Sequence, residues 1–268
     1  MRLGYYIRRK PDRKVKSKRP LDNVNNLVSA YSTEKELTSY TGYCMRVRRA
    51  SDDVLFYIAF NPSTYKMDNN SHCYNSELAD QGTVSSVFSG TDGFVTVWYD
   101  QVGSNQATQE TALSQFKIIT NGVVNSDGLY SDSASKLVIS SSNYLVNANN
   151  CRIAGTHKYI ATDGKLLYRE IGGTTMCKLE AEANGTCLCY LRNSSGSVRL
   201  NKTSDGVLFN NTTHTFEFDF KESNSGIKID NNPDSANIDY TNLGSWTFVS
   251  GQIGGLQGYI SRLYFQTL

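Results

Sequence analysis

From Tyr43 to the C-terminus, apolar residues tend to recur at every second position, in short runs closed by Gly, Asn, Asp or Pro. A two-residue period puts one set of side chains on each face of an extended chain, so it specifies half-buried β-strands. Tyr43, Met45 and Val47 alternate with Cys44, Arg46 and Arg48, giving one apolar and one basic face. Val54–Phe60 is a second strand, closed by Asn61-Pro62, and Phe94–Tyr99 is the most hydrophobic and should lie centrally. Further strands are expected at 116–120, 122–124, 128–130, 136–139, 143–147 and 157–161. They continue at 165–171, 175–182, 186–192, 197–201, 206–209, 213–221, 226–230, 245–249 and 258–266. Asp163-Gly164, Asn184-Gly185 and Ser195-Gly196 supply turns between them. Many short strands at near-regular spacing indicate an all-β sandwich or barrel.

Ahead of the strands the period changes. Val24, Leu27, Val28 and Tyr31 fall at i, i+3, i+4 and i+7, which predicts a short amphipathic helix over 21–31 with Asp22 or Asn23 as cap. Thr33 and Glu36 make a capping-box pattern for a second helical turn through Tyr40. A third short helix is expected within Ser76–Phe88. No linker or repeat divides 21–268, so the body is one domain. A chain of 268 residues can bury a core without disulfides or metal.

Residues 1–20 are different. Arg2, Arg8, Arg9, Lys10, Arg13, Lys14, Lys16, Lys18 and Arg19 face a single acid, Asp12, whereas the remainder carries an acidic excess. Such a segment repels itself and cannot fold alone. Pro11 and Pro20, with Tyr5, Tyr6 and Ile7 between the charged runs, suit an extended peptide lying on a partner surface. Arg2, Tyr5, Tyr6, Arg8, Arg9, Lys10, Arg13 and Lys14 are therefore the expected anchoring residues. No nucleic-acid-reading motif accompanies them, so a protein partner is read ahead of nucleic acid.

Several chemistries lack their residues. The six cysteines (Cys44, Cys73, Cys151, Cys177, Cys187, Cys189) contain no CxxC, and only His72, His157 and His214 are available, so metal-site spacing is absent and no cofactor is implied. The cysteines are read as buried free thiols. No run approaches the roughly 20 apolar residues of a membrane span. Leu3–Ile7 is too short for the apolar core of a secretory signal, which favours synthesis and retention in a cytoplasm.

Three stretches carry a resemblance. Ala30-Tyr31-Ser32, Tyr40-Thr41-Gly42 and Arg46-Val-Arg-Arg-Ala-Ser-Asp-Asp53 form the first. Gly93-Phe-Val-Thr-Val-Trp-Tyr-Asp-Gln-Val-Gly103 with Asn105 and Ala107-Thr108-Gln109 forms the second, and Gly258-Tyr-Ile-Ser-Arg-Leu-Tyr-Phe265 the third. The first two resemble the catalytic-domain family of arabinofuranosidase B, similar domains of which occur in proteins of tailed bacteriophages and of marine and gut bacteria. The third resembles the closing strand of laminin-G-like and concanavalin A-like domains. The resemblance implies a concanavalin A-like jelly roll over 21–268. Val102 stands where that family has a small residue, and its catalytic acids align with no motif here, so their roles are not carried over.

Arg46, Arg48 and Arg49 beside Asp52 and Asp53, with Asp100 closing the central strand, suggest a structural Arg–Asp network, and Asp100 is also a candidate sugar ligand. Trp98, Tyr99, Trp246 and Tyr259 are candidate stacking platforms for sugar. A glycosidase needs two carboxyls across a cleft, for which Glu170, Glu180, Glu182, Glu217 and Asp219 are available. Alternating acids on strands are more often a solvated face, so an enzyme is placed second. The leading expectation is a structural protein of a tailed-bacteriophage virion, as a capsid decoration, head fibre or tail component. It would be made in the host cytoplasm, anchored by its arm to other virion proteins in a multi-copy assembly, and would display a glycan-binding sandwich. The alternatives are a glycoside hydrolase acting on arabinose-containing polysaccharides and a carbohydrate-binding module. Deleting residues 1–20 should abolish co-sedimentation with a particle while leaving far-UV circular dichroism and sugar chemistry unchanged. Undiminished co-sedimentation of the truncated chain would refute the anchoring role.

Overall fold

The computed structural model describes residues 18–268 apart from 133, 140–144, 147–149, 160–163, 172–173, 183, 193–197, 222–225, 234–246, 249–250 and 256. Residues 1–17, with the expected anchoring side chains, and Trp246 lie outside the described residues. The chain is an all-β sandwich.

The longer strands, in order, are β1 (Leu27–Ser32), β2 (Met45–Arg49), β3 (Leu55–Ile58), β4 (His72–Tyr74), β5 (Gly93–Trp98), β6 (Phe116–Thr120), β7 (Leu129–Asp132) and β8 (Lys136–Ile139). After them come β9 (Asn150–Tyr159), β10 (Gly164–Ile171), β11 (Thr174–Ala181), β12 (Cys187–Arg192), β13 (Val198–Thr203), β14 (His214–Lys221), β15 (Gly226–Ile229), β16 (Gly251–Gly254) and β17 (Gln257–Thr267).

One layer runs β15–β14–β9–β17, all antiparallel. The free edge of β17 is shared: β7 takes Gln257–Ile260 and β1 takes Arg262–Gln266. The other layer includes β4–β3–β2–β5, which Ala107–Thr108 links to β8, and β8 leads through β16 and β10 to β11, β12 and β13. Strand β6 pairs with both β5 and β7 and forms the corner between the layers.

Alternation sets the core. Cys151, Ile153, His157 and Tyr159 of β9, Phe216, Phe218 and Phe220 of β14, and Ile260, Leu263 and Phe265 of β17 are buried. All but His157 belong to one core cluster with Met45, Val47, Phe56, Ile58, Val95 and Trp98 of the other layer. Each buried Phe, Leu or Ile contributes about 1.5–3 kcal/mol by leaving water. Cys44, Cys73, Cys151, Cys187 and Cys189 are buried and form no disulfide among the described residues.

The front of the chain departs from its sequence pattern. Residues 27–32 form β1, and no helix occurs over 21–31 or 33–40. The i, i+3, i+4 spacing was real, but Ser29, Ala30, Tyr31 and Ser32 are all buried because β17 and the turn after β5 cover them. Pairing with a strand more than 200 residues away overrode the local period. Asn26, at φ 55°, starts the strand where a helix would have continued. Within 76–88 only Val84–Val87 is helical.

Asp100 fastens this front to the sandwich. Its carboxylate accepts backbone N–H bonds from Ala30 (2.9 Å), Val102 (3.0 Å), Gly103 (3.2 Å) and Asn105 (3.2 Å). Gln101 adds two bonds, accepting from the Glu36 N–H and donating to the Glu34 carbonyl, each at 2.8 Å. Burial pushes the Asp100 carboxyl above its usual range against the pull of the four amides.

His157 points inward, and neither ring nitrogen has a partner among the described residues. Burial, with help from His214 and against Asp230, holds its pKa down to about 3. In the unfolded chain the imidazole takes up a proton near pH 6.5, so below that pH the unfolded state binds more protons than the folded one. This contribution is complete above about pH 6.5. It should fall by about 1.4 kcal/mol per pH unit as pH drops toward 3. Urea midpoints measured from pH 7 to 4 should decline less for His157→Phe than for the native chain; parallel declines would show that His157 is not the source.

Candidate functional site

The outward side chains of the β15–β14–β9–β17 layer build a charged surface. Register places Lys228, Glu217, Ala154 and Tyr264 in one row across four strands. The next row holds Asp219, Arg152 and Gln266, and the row on the other side holds Thr215, Thr156 and Arg262. These side chains face out because their inward neighbours, Phe216, Phe218, Ile153 and Phe265, occupy the core.

The charges are organised around Arg152. Its Nε and Nη2 donate to Asp219 Oδ1 and Oδ2 at 2.5 and 2.8 Å, a two-pronged pair that fixes both groups. Its Nη1 lies 3.4 Å from Glu217 Oε2, which Lys228 Nζ also approaches at 3.3 Å. The carboxylate of Asp219 holds the Arg152 guanidinium well above its ordinary pKa. At the other side of the face Arg262 pairs with Glu36, which is almost fully buried. Burial pushes the Glu36 carboxyl up, and Arg262 opposes that shift.

Between these groups lies a depression of about 110 Å3, lined by Ala154, Thr156, Glu217, Lys228, Arg262 and Tyr264 among others. Ala154, set between Glu217 and Tyr264 by the register, leaves it open. Gly155 faces inward, where a Cβ would come 2.5 Å from the Arg262 carbonyl and 2.8 Å from the buried Phe216 ring, so it serves the packing beneath the face. The space is shallow, and a sugar ring would lie across it, with the Glu217 carboxylate to accept from hydroxyls and cations to donate to ring oxygens.

Trp98, Asp100 and the three arginines singled out from sequence fall elsewhere. Trp98 is fully buried and offers a sugar no surface. Asp100, 1% exposed, is a backbone fastener and belongs to no ion pair among the described residues, which removes it from both the sugar-ligand and the Arg–Asp roles. Arg48 pairs with Asp53 at 2.6 Å, and Arg49 grips Asp52 with two bonds of 3.0 and 2.6 Å. Arg46 instead bonds Thr96 Oγ1 at 3.0 Å. Arg48 and Arg49 thus tie down the turn of their own hairpin, with further bonds to Gln115 and the Val87 carbonyl, and Arg46 bridges to β5; among the described residues no bond joins them to Asp100.

Tyr259 lies on the same outer face as Arg152, packed against Tyr130 at 5.2 Å between centroids and beneath Lys158. Glu217 and Asp219 stand on this face two residues apart, about 7 Å along the strand. Glu180 is bound by Lys178, and the side chain of Glu170 is not described. Arg152, Lys228, Arg262, Tyr264 and Glu36 were not singled out beforehand. Alternation alone marks Arg152 as outward, but its partners sit 67 and 65 residues further on, and only strand register reveals them. Among the described residues, no group of three or more His, Cys, Asp or Glu side chains is placed to hold a metal ion.

No family model matches the chain, and no curated protein matches it. Among solved structures, it is similar to a GH54 α-L-arabinofuranosidase soaked with a cyclic sulfate inhibitor, with a TM-score of 0.60 and 13% identity over 90% of this chain. It is also similar to an arabinofuranosidase complexed with arabinofuranosyl-α-1,2-xylobiose, with a TM-score of 0.52 and 14% identity over 90% of this chain. The chain spans 59% of the length of each. At such identity the likeness is one of fold.

Replacing Arg152 with Met should leave Asp219 and Glu217 without their shared cation and cost about 1–3 kcal/mol. In a double-mutant cycle, Asp219→Asn in the Met background should cost clearly less than in the native chain. Equal costs in urea denaturation would show that the pair is not coupled.

Proposed function

We propose that the chain is a carbohydrate-recognising β-sandwich and that the outer face around Arg152 is its sugar site. The observation that supports this most directly is the depression itself. A hollow left open by Ala154 on an open sheet is edged by the Tyr264 ring, one carboxylate (Glu217) and two cations (Lys228 and Arg262). Sugars need that combination: hydroxyls donate to Glu217, Arg262 and Lys228 donate to ring and hydroxyl oxygens, and Tyr264 offers an apolar flank. The similarity of fold to two arabinofuranosidases makes arabinose-containing glycans the first ligands to try.

Hydrolysis is the second reading, favoured by the outward pair Glu217 and Asp219 and by the same similarity of fold. Separations of about 7 Å suit an inverting glycosidase. A glycosidase needs its two carboxyls on either side of a cleft, however, whereas these two stand on one strand and are engaged by Arg152 and Lys228. Recognition therefore ranks ahead of cleavage. Anchoring to a virion by the basic arm is a separate proposal, supported by charge distribution alone.

Saturation-transfer NMR with arabinoxylan and arabinan oligosaccharides should show contact that Glu217→Gln abolishes. Absence of any transfer at millimolar ligand would sink the recognition reading. In parallel, release of nitrophenol from 4-nitrophenyl α-L-arabinofuranoside should be undetectable. Release that disappears in Asp219→Asn would promote the hydrolase above it.

A further inference from the structure

The layer containing β2, β3, β4 and β5 carries a different outer surface. Tyr57 of β3 lies directly between Arg46 of β2 and Tyr74 of β4 in the strand register. Tyr43, just before β2, packs against both tyrosines, at 5.3 Å from Tyr57 and 5.6 Å from Tyr74 between ring centroids. Tyr99, just after β5, lies nearly parallel to Tyr57, with centroids 6.5 Å apart and planes at 20°. Four rings thus form one continuous strip, and each is partly exposed.

Two properties separate this strip from ordinary packing. Among the described residues none of the four phenol oxygens has a hydrogen-bond partner, and Arg46 has no carboxylate partner, its Nε bonding only Thr96. The neighbouring acids are already engaged. Asp53 is held by Arg48 at 2.6 Å, and Asp80, beside Tyr74, is held by His72 at 2.7 Å and by the Gly82 N–H at 2.8 Å. Burial pushes the Tyr99 hydroxyl up to about 12, which keeps it protonated as a donor. The strip therefore offers apolar ring faces, free phenol donors and one uncompensated guanidinium.

We propose that this strip is a second, independent binding surface for a carboxylate-bearing sugar chain, such as a uronate polysaccharide. The ring faces stack on the C–H faces of successive sugars, and the phenols bond their hydroxyls. The terminal nitrogens of Arg46 take the carboxylate in a forked pair, which a neutral sugar cannot supply. This surface uses none of the residues around Arg152, so either site can fail without the other.

Titration of the full chain with oligogalacturonate, followed by tyrosine fluorescence and calorimetry, tests it, with a neutral galactan as control. Oligogalacturonate should bind and alter the emission, more weakly as salt is raised, and galactan should bind at least tenfold more weakly. Arg46→Gln should weaken the acidic ligand at least tenfold and Tyr57→Ala at least fivefold. Tyr57→Phe, which keeps the ring and guards against loss of fold, should lose less than Tyr57→Ala. Arg152→Met should leave this binding unchanged. No binding at millimolar oligogalacturonate, equal binding of galactan, or an Arg46→Gln affinity matching the native chain would each overturn the proposal.

Discussion

Everything in the molecule is arranged about one strand. Residues 257–267, at the C-terminal end, pair along one whole edge with 150–159, while the other edge is divided between 129–132 and 27–32. The earliest described strand therefore completes its hydrogen bonds only when the last has formed. Such pairing is costly in loop entropy, and the front of the chain repays it through the Asp100 carboxylate, which gathers four backbone amides from two distant segments. The same geometry fixes the polar face. Register among 150–159, 214–221 and 257–267 sets the small Ala154 between Glu217 and Tyr264, which leaves the hollow beside Arg262.

The two outer surfaces treat charge in opposite ways. Around Arg152, acids and bases alternate across strands and largely neutralise one another, giving many fixed donors and acceptors and little net field. Such a surface suits neutral polyols. Around Arg46 the acids are drawn off by Arg48 and His72, leaving a cation among tyrosines. That surface suits an anion with an apolar face. A sandwich provides both because its layers bury only their inner side chains, leaving alternate positions on every strand for recognition.

The period-two pattern was legible because it arises within each strand. Strands were placed correctly within 43–48, Val54–Phe60, Phe94–Tyr99, 213–221 and 258–266. Ahead of Met45 the faces exchange: Cys44 is buried, and Tyr43 lies outside against Tyr57 and Tyr74. The pattern over 21–31 misled because Val24, Leu27, Val28 and Tyr31 also satisfy a helical period, and nothing local shows that a distant strand will cover them. Asp100 and Trp98 looked functional by type. Burial made one a fastener and the other core, and burial is decided by what the rest of the chain lays over them.

The amino-acid order alone thus settled that this is a β-protein, which faces of its strands are apolar, and that Glu217 and Asp219 share an outward face, since each follows from neighbours one or two residues apart. Tertiary structure decided which outward residues meet. Arg152 reaches Asp219, Arg262 reaches Glu36, and Tyr57 comes to lie between Arg46 and Tyr74 only through strand register. Register is set by the summed burial of both layers, so no local window of sequence contains it.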